Sequence, residues 1–268
     1  VSAAVASGLH RLMDSRGIDA VCGLGLSVAG PVDLISGSIC HPPNMAFDMV
    51  PLTEPLREIF CQPVFLMNDC RAAVLGEIFA GAGRNHRHII YITFSTGIGG
   101  GVFSDGLVLN GRGGNAGEIG HFCVETTILH PCTCGHAGHW EGCASGRGMP
   151  GFFQAWCSAR GVVPDPSHTS ASAILCAGER GDPVVLSFLE EIARINARGL
   201  SSVIVAYDPE IIIVDGPLIT AHPDLLLPAA CRHLDRYLEI PEIVISPLGG
   251  SAPLLGAAAR VFDSVTHL

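Results

Sequence analysis

Short apolar stretches alternate along the chain with longer segments whose apolar residues recur at helical spacing. The apolar stretches predict strands at residues 20–28, 62–67, 88–94, 210–216 and 241–249. The segments between and around them predict helices at residues 2–16, 52–60, 68–81, 182–207, 219–238 and 252–262. Alternation of strands and helices is typical of an α/β fold.

A glycine-rich run, STGIGGG at residues 95–101, follows the predicted strand at 88–94. Glycines allow backbone N–H groups to approach phosphate oxygens closely. A Rossmann fingerprint requires a helix directly after its glycines, whereas a predicted hairpin at 102–111 follows here. The run therefore predicts the tip of a β-hairpin. It is either a plain tight turn or a phosphate-binding loop to which Thr96 adds a hydroxyl.

Two polar residues, Asn68 and Asp69, stand where a predicted strand ends and a helix begins. In open α/β sheets, ligands bind at this carboxyl edge of the strands. Asp69 is either a simple N-cap of the helix or a general base. A carboxylate at a helix N-terminus stays ionised, and it can accept the proton of a hydroxyl that attacks phosphorus.

Cysteine and histidine are concentrated in HPCTCGHAGHWEG, residues 130–142. Cys132, Cys134 and His139 supply three metal ligands, and His121, three residues after Glu118, can supply a fourth. Two thiolates and two imidazoles suit tetrahedral zinc, whereas so short a Cys-x-Cys loop resists a disulfide. His130, His136 and Cys143 are alternatives for any one ligand. With four protein ligands the zinc is expected to be structural.

Composition removes several classes of function. The chain has 268 residues, a mean hydropathy of +0.42 and a net charge of -10, which disfavours general nucleic-acid binding. All 15 basic residues are arginine, so lysine-dependent Walker A loops, protein kinases and Schiff-base enzymes are excluded. No apolar run approaches a membrane span, and the 11 scattered cysteines favour a reducing, cytoplasmic location.

The order of several motifs resembles that of the ROK family of sugar kinases and sugar-sensing repressors. These motifs are AGPVD, PPNM, ND…GE, STGIGGG, AGEIGH, C-x-C-G-x-x-G-x-x-E and a late LLGAA. The resemblance covers nearly the whole chain. It implies an α/β fold of the actin-like ATPase (ribonuclease H-like) type, with two domains around a central cleft. The domains expected from it are a small one, residues 1–85 plus 251–268, and a large one, residues 86–250, with the zinc loop.

The same resemblance implies roles for individual residues. Asp69 is expected to be the catalytic base that activates a sugar hydroxyl toward the γ-phosphate of ATP. The residues expected around the sugar are Gly30, Asn44, Asn68, Glu118, His121 and Glu141. Thr96 and Gly97 are expected to face the nucleotide phosphates, and Gly216 to lie near the adenosine. The implied cofactors are structural Zn²⁺, ATP and Mg²⁺, and the implied assembly is a homodimer.

Two departures from the family pattern stand out. His139 occupies a position where members usually carry a third cysteine, a change that zinc accepts. The family's first phosphate motif, D-x-G-G-T, is absent, and its expected place falls ahead of Val1.

Three functions are compatible with these features. The favoured one is an ATP-dependent hexose kinase acting at the 6-hydroxyl of a sugar, with glucose as the expected substrate. The alternatives are a sugar-sensing repressor with its DNA-binding domain upstream of Val1, and a zinc-stabilised binding protein without chemistry.

Overall fold

The computed structural model describes residues 1–41 and 46–266, and their contacts divide the chain into two compact units. Unit 1 comprises Val1–Arg87, Gly101–Gly117 and the chain from Gly250 onward, and unit 2 comprises His88–Gly100 and Glu118–Gly249. The strands are β1 (Leu24–Val28), β2 (Val32–Asp33), β3 (Ser38–Cys40), β4 (Met49–Pro51), β5 (Val64–Asn68), β6 (His88–Phe94), β7 (Ile98–Ser104), β8 (Leu107–Val108), β9 (Ile211–Asp215) and β10 (Glu242–Ile245). The helices are α1 (Ser2–Arg16), α2 (Thr53–Phe60), α3 (Asp69–Ala80), α4 (Trp140–Ala144), α5 (Gly148–Ala159), α6 (Ala171–Glu179), α7 (Pro183–Tyr207), α8 (Pro217–Ala221), α9 (Pro223–Cys231) and α10 (Ala252–Thr266), with a 3₁₀ turn at Ile119–His121.

Unit 1 contains a parallel pair of strands, β1 and β5, in which Leu24 lies opposite Val64. Helix α10 packs closely on α3 because glycines occupy the crossing. A Cβ atom at Gly76 would collide with the backbone carbonyl of Ala252, and one at Gly256 with that of Ala72. This close approach fixes α3, and therefore fixes the first turn that carries Asp69. An antiparallel sheet, β2-β3-β4, also belongs to unit 1.

A five-stranded sheet has the strand order β10-β9-β6-β7-β8, and its strands β6, β9 and β10 belong to unit 2. Strands β9, β6 and β10 are parallel, with Ile211 opposite Ile89. All five residues of β9 are buried, which explains why its sequence is an apolar run rather than an alternating one.

Helix α7 is the long helix of unit 2. Asp182 caps its first turn by accepting hydrogen bonds from the backbone N–H groups of Val184 and Val185, and Pro183 occupies the first helical position. The helix ends at Asp208, which adopts a left-handed conformation with φ of 45°.

Several of the expected elements differ from those observed, among them the strand expected over 241–249, which ends at Ile245. The helix expected over 219–238 is two short helices, α8 and α9, because Pro223 has no N–H to continue α8. The strand expected over 20–28 begins only at Leu24. The glycine run is a turn only at Ser95–Gly97, because Ile98 and the glycines after it belong to β7.

Apolar character is spread over many short elements of the fold. No helix within residues 1–41 and 46–266 has both the length and the apolar composition that a membrane crossing requires.

Candidate active site and metal centre

Asp69 is the first residue of α3, directly after the end of β5. The N-cap of the helix is its neighbour Asn68, whose Oδ1 accepts a hydrogen bond from the N–H of Cys70 at 3.0 Å. The Asn68 amide also donates to the carbonyl of Gly30 at 3.5 Å, and Gly30 has a φ of 96° that favours glycine. The capping role considered for Asp69 is therefore filled by Asn68, and the fold brings three of the expected site residues of unit 1 together.

The surroundings of Asp69 raise the pKa of its carboxyl above the usual range. Burial is the main cause, and hydrogen bonding from the Cys70 N–H and the charge of Arg71 oppose it only partly. Oδ1 of Asp69 accepts from Cys70 at 2.8 Å. A carboxylate with a raised pKa is a better proton acceptor than an ordinary aspartate, as a general base requires.

Four potential ligand atoms cluster in unit 2. They belong to His121, Cys132, Cys134 and His139, and all lie within 4.8 Å of one another. Nδ1 of His139 lies 3.3 Å from Nδ1 of His121 and 3.2 Å from Sγ of Cys134. In a tetrahedral zinc site, ligand atoms are about 3.4–3.8 Å apart, given zinc–ligand bonds of about 2.0–2.3 Å. The donor set therefore fits zinc in chemistry and in spacing.

A tight backbone turn presents the two thiols. The N–H of Gly135 donates to the carbonyl of Cys132 at 3.0 Å, and the N–H of Cys132 donates to the carbonyl of His136 at 2.7 Å. Gly135 and Gly138 both have positive φ, of 91° and 77°. We call residues 130–141 the Cys/His knuckle. Its glycines permit the turn that places Cys132 and Cys134 beside His139.

None of the three alternative ligands belongs to this group of four. The ring of His130 packs against Phe152, with centroids 6.2 Å apart, and burial lowers its pKa. Cys143 is fully buried, and burial raises its pKa to about 12. His136 is exposed, and its ring lies beside that of His139 with centroids 5.8 Å apart.

Burial changes the protonation of two of the expected ligands in opposite senses for metal binding. Burial raises the pKa of Cys132, with the charge of Glu141 adding to the effect, and burial lowers the pKa of His139. A neutral imidazole is ready to ligate, whereas a buried thiol becomes a thiolate once a cation compensates its charge. Zn²⁺ with two thiolates and two imidazoles is neutral overall, which suits a partly buried site.

Glu141 links the Cys/His knuckle to the turn at Ser95–Gly97, which we call the glycine turn, and to Ile98 directly after it. Its Oε1 accepts a hydrogen bond from Thr133 Oγ1 at 3.2 Å, and its Oε2 accepts from the N–H of Ile98 at 3.0 Å. A Cβ atom at Gly97 would collide with this carboxylate, so the glycine there makes room for Glu141. The glycine turn is therefore held by an acidic side chain as well as by its own backbone.

The turn at Ser95–Gly97 is also fastened to the segment after α4. The N–H of Gly146 donates to the Ser95 carbonyl at 2.8 Å, and the N–H of Arg147 donates to the Thr96 carbonyl at 3.1 Å. Thr96 itself is exposed, so its hydroxyl is accessible to a ligand. Gly216 follows β9 with a φ of 100°, and a Cβ atom there would collide with the backbone of Phe94.

The remaining expected sugar residues are Glu118 and Asn44. Glu118 is exposed at the start of the turn that carries His121, whose N–H donates to the Glu118 carbonyl at 3.1 Å. Asn44 lies outside the described residues.

Sequence reasoning missed two residues that hold these loops. Asn115 makes a paired contact with Val32, accepting from its N–H at 3.0 Å and donating to its carbonyl at 3.1 Å. Buried Glu125 binds the Arg198 guanidinium at 3.0 Å. Burial works to raise the pKa of Glu125, but the N–H donors of Ile128 and Thr127 and the charge of Arg198 hold it below its usual range. Both contacts join segments more than 70 positions apart, so local spacing carries no signal of them.

The fold and the site define the chain as an α/β protein of the actin-like ATPase type, as the order of its motifs predicts. The model of the ROK family matches residues 2–263, and the chain belongs to that family.

Relatives of the chain include kinases from several organisms. A glucokinase of Pyrobaculum calidifontis is 33% identical over 244 residues, which are 90% of this chain and 79% of that protein. The crystal structure of a ROK hexokinase from Thermus thermophilus matches with a TM-score of 0.82 and 32% identity, covering 100% of this chain and 87% of that one. A ROK family glucokinase from Streptomyces griseus, in complex with glucose and AMPPNP, matches with a TM-score of 0.77 and 28% identity, covering 98% of this chain and 89% of that one.

A repressor is also among the relatives. The xylose repressor of Bacillus subtilis is 29% identical over 245 residues, which are 90% of this chain but only 61% of that protein.

Proposed function

We propose that this protein is an ATP-dependent hexose kinase that transfers the γ-phosphate of ATP to the 6-hydroxyl of a sugar, with glucose as the preferred substrate. The observation that carries the proposal is Asp69, a partly buried carboxylate with a raised pKa at the carboxyl end of β5. The similarity to glucokinases and to a glucokinase structure holding glucose and AMPPNP supports the same activity.

In this proposal Asp69 is the catalytic base. Its carboxylate accepts the proton of the sugar hydroxyl while the hydroxyl oxygen bonds to the γ-phosphorus and the bond from that phosphorus to ADP breaks. Asn68 and Gly30 hold the first turn of α3 through the contacts described above. The raised pKa strengthens the base but requires a pH above that pKa for it to act.

The residues assigned to the sugar are polyol-binding types. Asn44, Asn68, Glu118, His121 and Glu141 offer carboxylates, amides and an imidazole, which pair with the donor and acceptor of each hydroxyl. Glu141 is the best supported sugar residue in unit 2, because both of its carboxylate oxygens accept hydrogen bonds that fix its position. His121 has two ring nitrogens, so one can ligate metal while the other faces a ligand.

The nucleotide is assigned to the glycine turn. Thr96 offers an exposed hydroxyl, Gly97 offers backbone in close reach, and Gly216 lies at the end of the neighbouring strand β9. Mg²⁺ is assigned to the nucleotide phosphates, since this ion is usually held by substrate phosphates with one or two carboxylates.

One structural Zn²⁺ is proposed to bind His121 together with three residues of the Cys/His knuckle, Cys132, Cys134 and His139. The support is the spacing of the four ligand atoms and the neutral total charge of the filled site. The metal, when bound, holds this loop rigid; Glu141, two residues after the last ligand, is thereby kept in place.

A sugar-sensing repressor is the second candidate, and the relative from Bacillus subtilis favours it. A repressor needs sugar binding but has no use for a base of raised pKa beside the sugar, so Asp69 favours the kinase. The zinc-stabilised binding protein is the third candidate and predicts neither sugar binding nor turnover. A cytoplasmic location and a homodimer complete the proposal.

A coupled assay of ADP release over a panel of hexoses and N-acetylhexosamines tests the proposal. Turnover with glucose that disappears in Asp69→Asn supports the kinase. Sugar binding by calorimetry without ADP release in the wild type supports the repressor, and absence of both supports the third candidate.

A further inference from the structure

Trp140 is completely buried in unit 2 and is flanked by two residues of the candidate site. It follows the proposed metal ligand His139 and precedes Glu141, and its backbone N–H donates to the carbonyl of Phe122 at 2.9 Å. Because the Trp140 side chain is held in the core, the backbone of its neighbours His139 and Glu141 is constrained as well. A large rigid ring that is anchored in the core fixes its neighbours more tightly than a flexible one would.

Helix α7 contacts this ring through Asn196 and Gly199, which we call the seat of Trp140. The indole N–H of Trp140 donates to Oδ1 of Asn196 at 2.8 Å, and both residues are buried. Gly199, on the next turn, lies against the face of the indole, where any Cβ atom would collide with three ring atoms. The hydrogen bond to Asn196 thus sets the rotation of the indole ring, and the absence of a side chain at Gly199 sets how closely the ring approaches α7.

The ring of Trp140 also contacts strand β6. Phe94 meets Trp140 edge to face, with ring centroids 5.5 Å apart and planes at 78°. Phe94 is the last residue of β6, immediately before the turn at Ser95–Gly97. Trp140 therefore contacts both α7 and the strand that ends in the glycine turn.

A second contact of α7 secures the loop that precedes the Cys/His knuckle. Arg198 donates to the carbonyl of Val124 at 3.1 Å and to Oε2 of buried Glu125 at 3.0 Å. The carbonyl of Glu125 in turn lies close to Gly138, where a Cβ atom would collide with it. Neighbouring residues of α7 therefore contact the chain both before Cys132 and after His139.

We propose that Trp140 and its seat on α7, Asn196 and Gly199, form a positioning device that sets Glu141 against the glycine turn and thereby determines sugar affinity. The inference rests on the proposed function, because it deepens the role of Glu141 in sugar binding. Asn196 and Gly199 are positioning residues in this scheme, since they act through Trp140 and touch no ligand.

The central variant is Gly199→Ala, which pushes the indole out of its seat. Its matched control is Gly178→Ala in α6, where a Cβ atom would crowd the Leu189 side chain instead. Affinity for glucose is measured by calorimetry, and KM for glucose and kcat by ADP release. We expect Gly199→Ala to weaken glucose binding and raise KM by about tenfold or more, because small displacements at a site are costly. We expect Gly178→Ala to lose stability without that change.

A second pair of variants separates positioning from folding. Asn196→Asp keeps an acceptor for the indole N–H, whereas Asn196→Leu removes it. We expect glucose affinity near the wild type in Asn196→Asp and a loss like that of Gly199→Ala in Asn196→Leu. Trp140 is one of only two tryptophans in the chain, so its emission in a Trp156→Phe background reports the position of the ring directly. We expect that emission to shift in Gly199→Ala and to stay unchanged in Gly178→Ala.

Wild-type affinity for glucose in Gly199→Ala and Asn196→Leu would overturn the inference, as would an equal loss in the Gly178→Ala control. Absence of ADP release by wild-type protein that still binds glucose counts against the proposed kinase alone. In that case the calorimetric affinities and the Trp140 emission still decide whether the seat on α7 positions the sugar site.

Discussion

The junction of β5 with α3 and the Cys/His knuckle hold their functional side chains in opposite ways. At the junction, Asp69 is placed by regular elements: a paired strand, a helix N-terminus and a close helix crossing. In the knuckle, His139 is placed by a loop and Glu141 by the first turn of the short helix α4, and both positions depend on side-chain contacts and on the proposed metal. We therefore expect the first region to tolerate loss of its functional group, and the second to lose its shape when one contact is removed.

This difference predicts which measurable property each substitution changes. A change at the junction is expected to remove chemistry and to leave binding and stability intact. A change in the knuckle is expected to alter metal content, sugar affinity and stability together, because these depend on one set of contacts.

The largest effect is expected from Asp69→Asn. Loss of a general base removes a factor of about 10²–10⁴ from kcat, and the amide keeps the size of the side chain. Glucose affinity measured by calorimetry is expected to change little. Loss of sugar binding in parallel with kcat would show that the junction is not held by its regular elements alone.

The next largest effect is expected from Cys132→Ser. Removing one of four ligands is expected to release zinc, measured by elemental analysis, and to weaken glucose binding by about 10–100-fold. Cys22→Ser, at an exposed cysteine in unit 1, is the control and is expected to keep zinc and affinity. Carefully purified wild type that contains no metal would contradict the zinc assignment outright.

The two regions also differ in how far the sequence predicts them. The polar pair after an apolar strand predicts the placement of Asp69, because strand ends and helix starts have local signals. The Cys-x-Cys-x₄-His spacing predicts ligands close in space, but not the seat of Trp140 on a helix 56 positions away. The contact of Glu141 with the Ile98 N–H spans 43 positions and is equally hidden.

Misplaced elements have a similar cause. The spacing of apolar residues over 219–238 predicts one helix, but Pro223 divides the segment into two helices. The apolar spacing is the stronger signal in the sequence, so it hides the break at the proline. The glycines at 99–101 suggest a loop, but they lie in a strand where a neighbouring backbone approaches closely, as the carbonyl of Cys70 does to Gly101.

A smaller effect is expected from Gly97→Ala, which tests the contact between the knuckle and the glycine turn. The added methyl group collides with the Glu141 carboxylate, so kcat/KM for glucose is expected to fall about tenfold. Gly8→Ala in α1, where the methyl group has room, is the control and is expected to match the wild type. Unchanged kcat/KM in Gly97→Ala would mean that Glu141 moves freely and is not fixed by the turn.

The smallest effect concerns stability and pH at Asp69. Because folding raises its pKa, the protonated form favours the fold, and that contribution is lost as pH rises through the folded value. Asp69→Asn is therefore expected to have a Tm at pH 7 equal to or slightly above that of the wild type, with the gap closing below about pH 4. A clearly lower Tm at pH 7 would contradict the cause assigned to the raised pKa.

The most direct test of the account is to remove and restore the metal while measuring glucose binding. Calorimetry of the wild type before chelation, after chelation and after addition of Zn²⁺ follows the dependence of the sugar site on the knuckle. The account predicts one bound zinc per chain, a loss of glucose affinity on its removal and recovery on its return. Glucose binding that is equally tight with and without metal would contradict it.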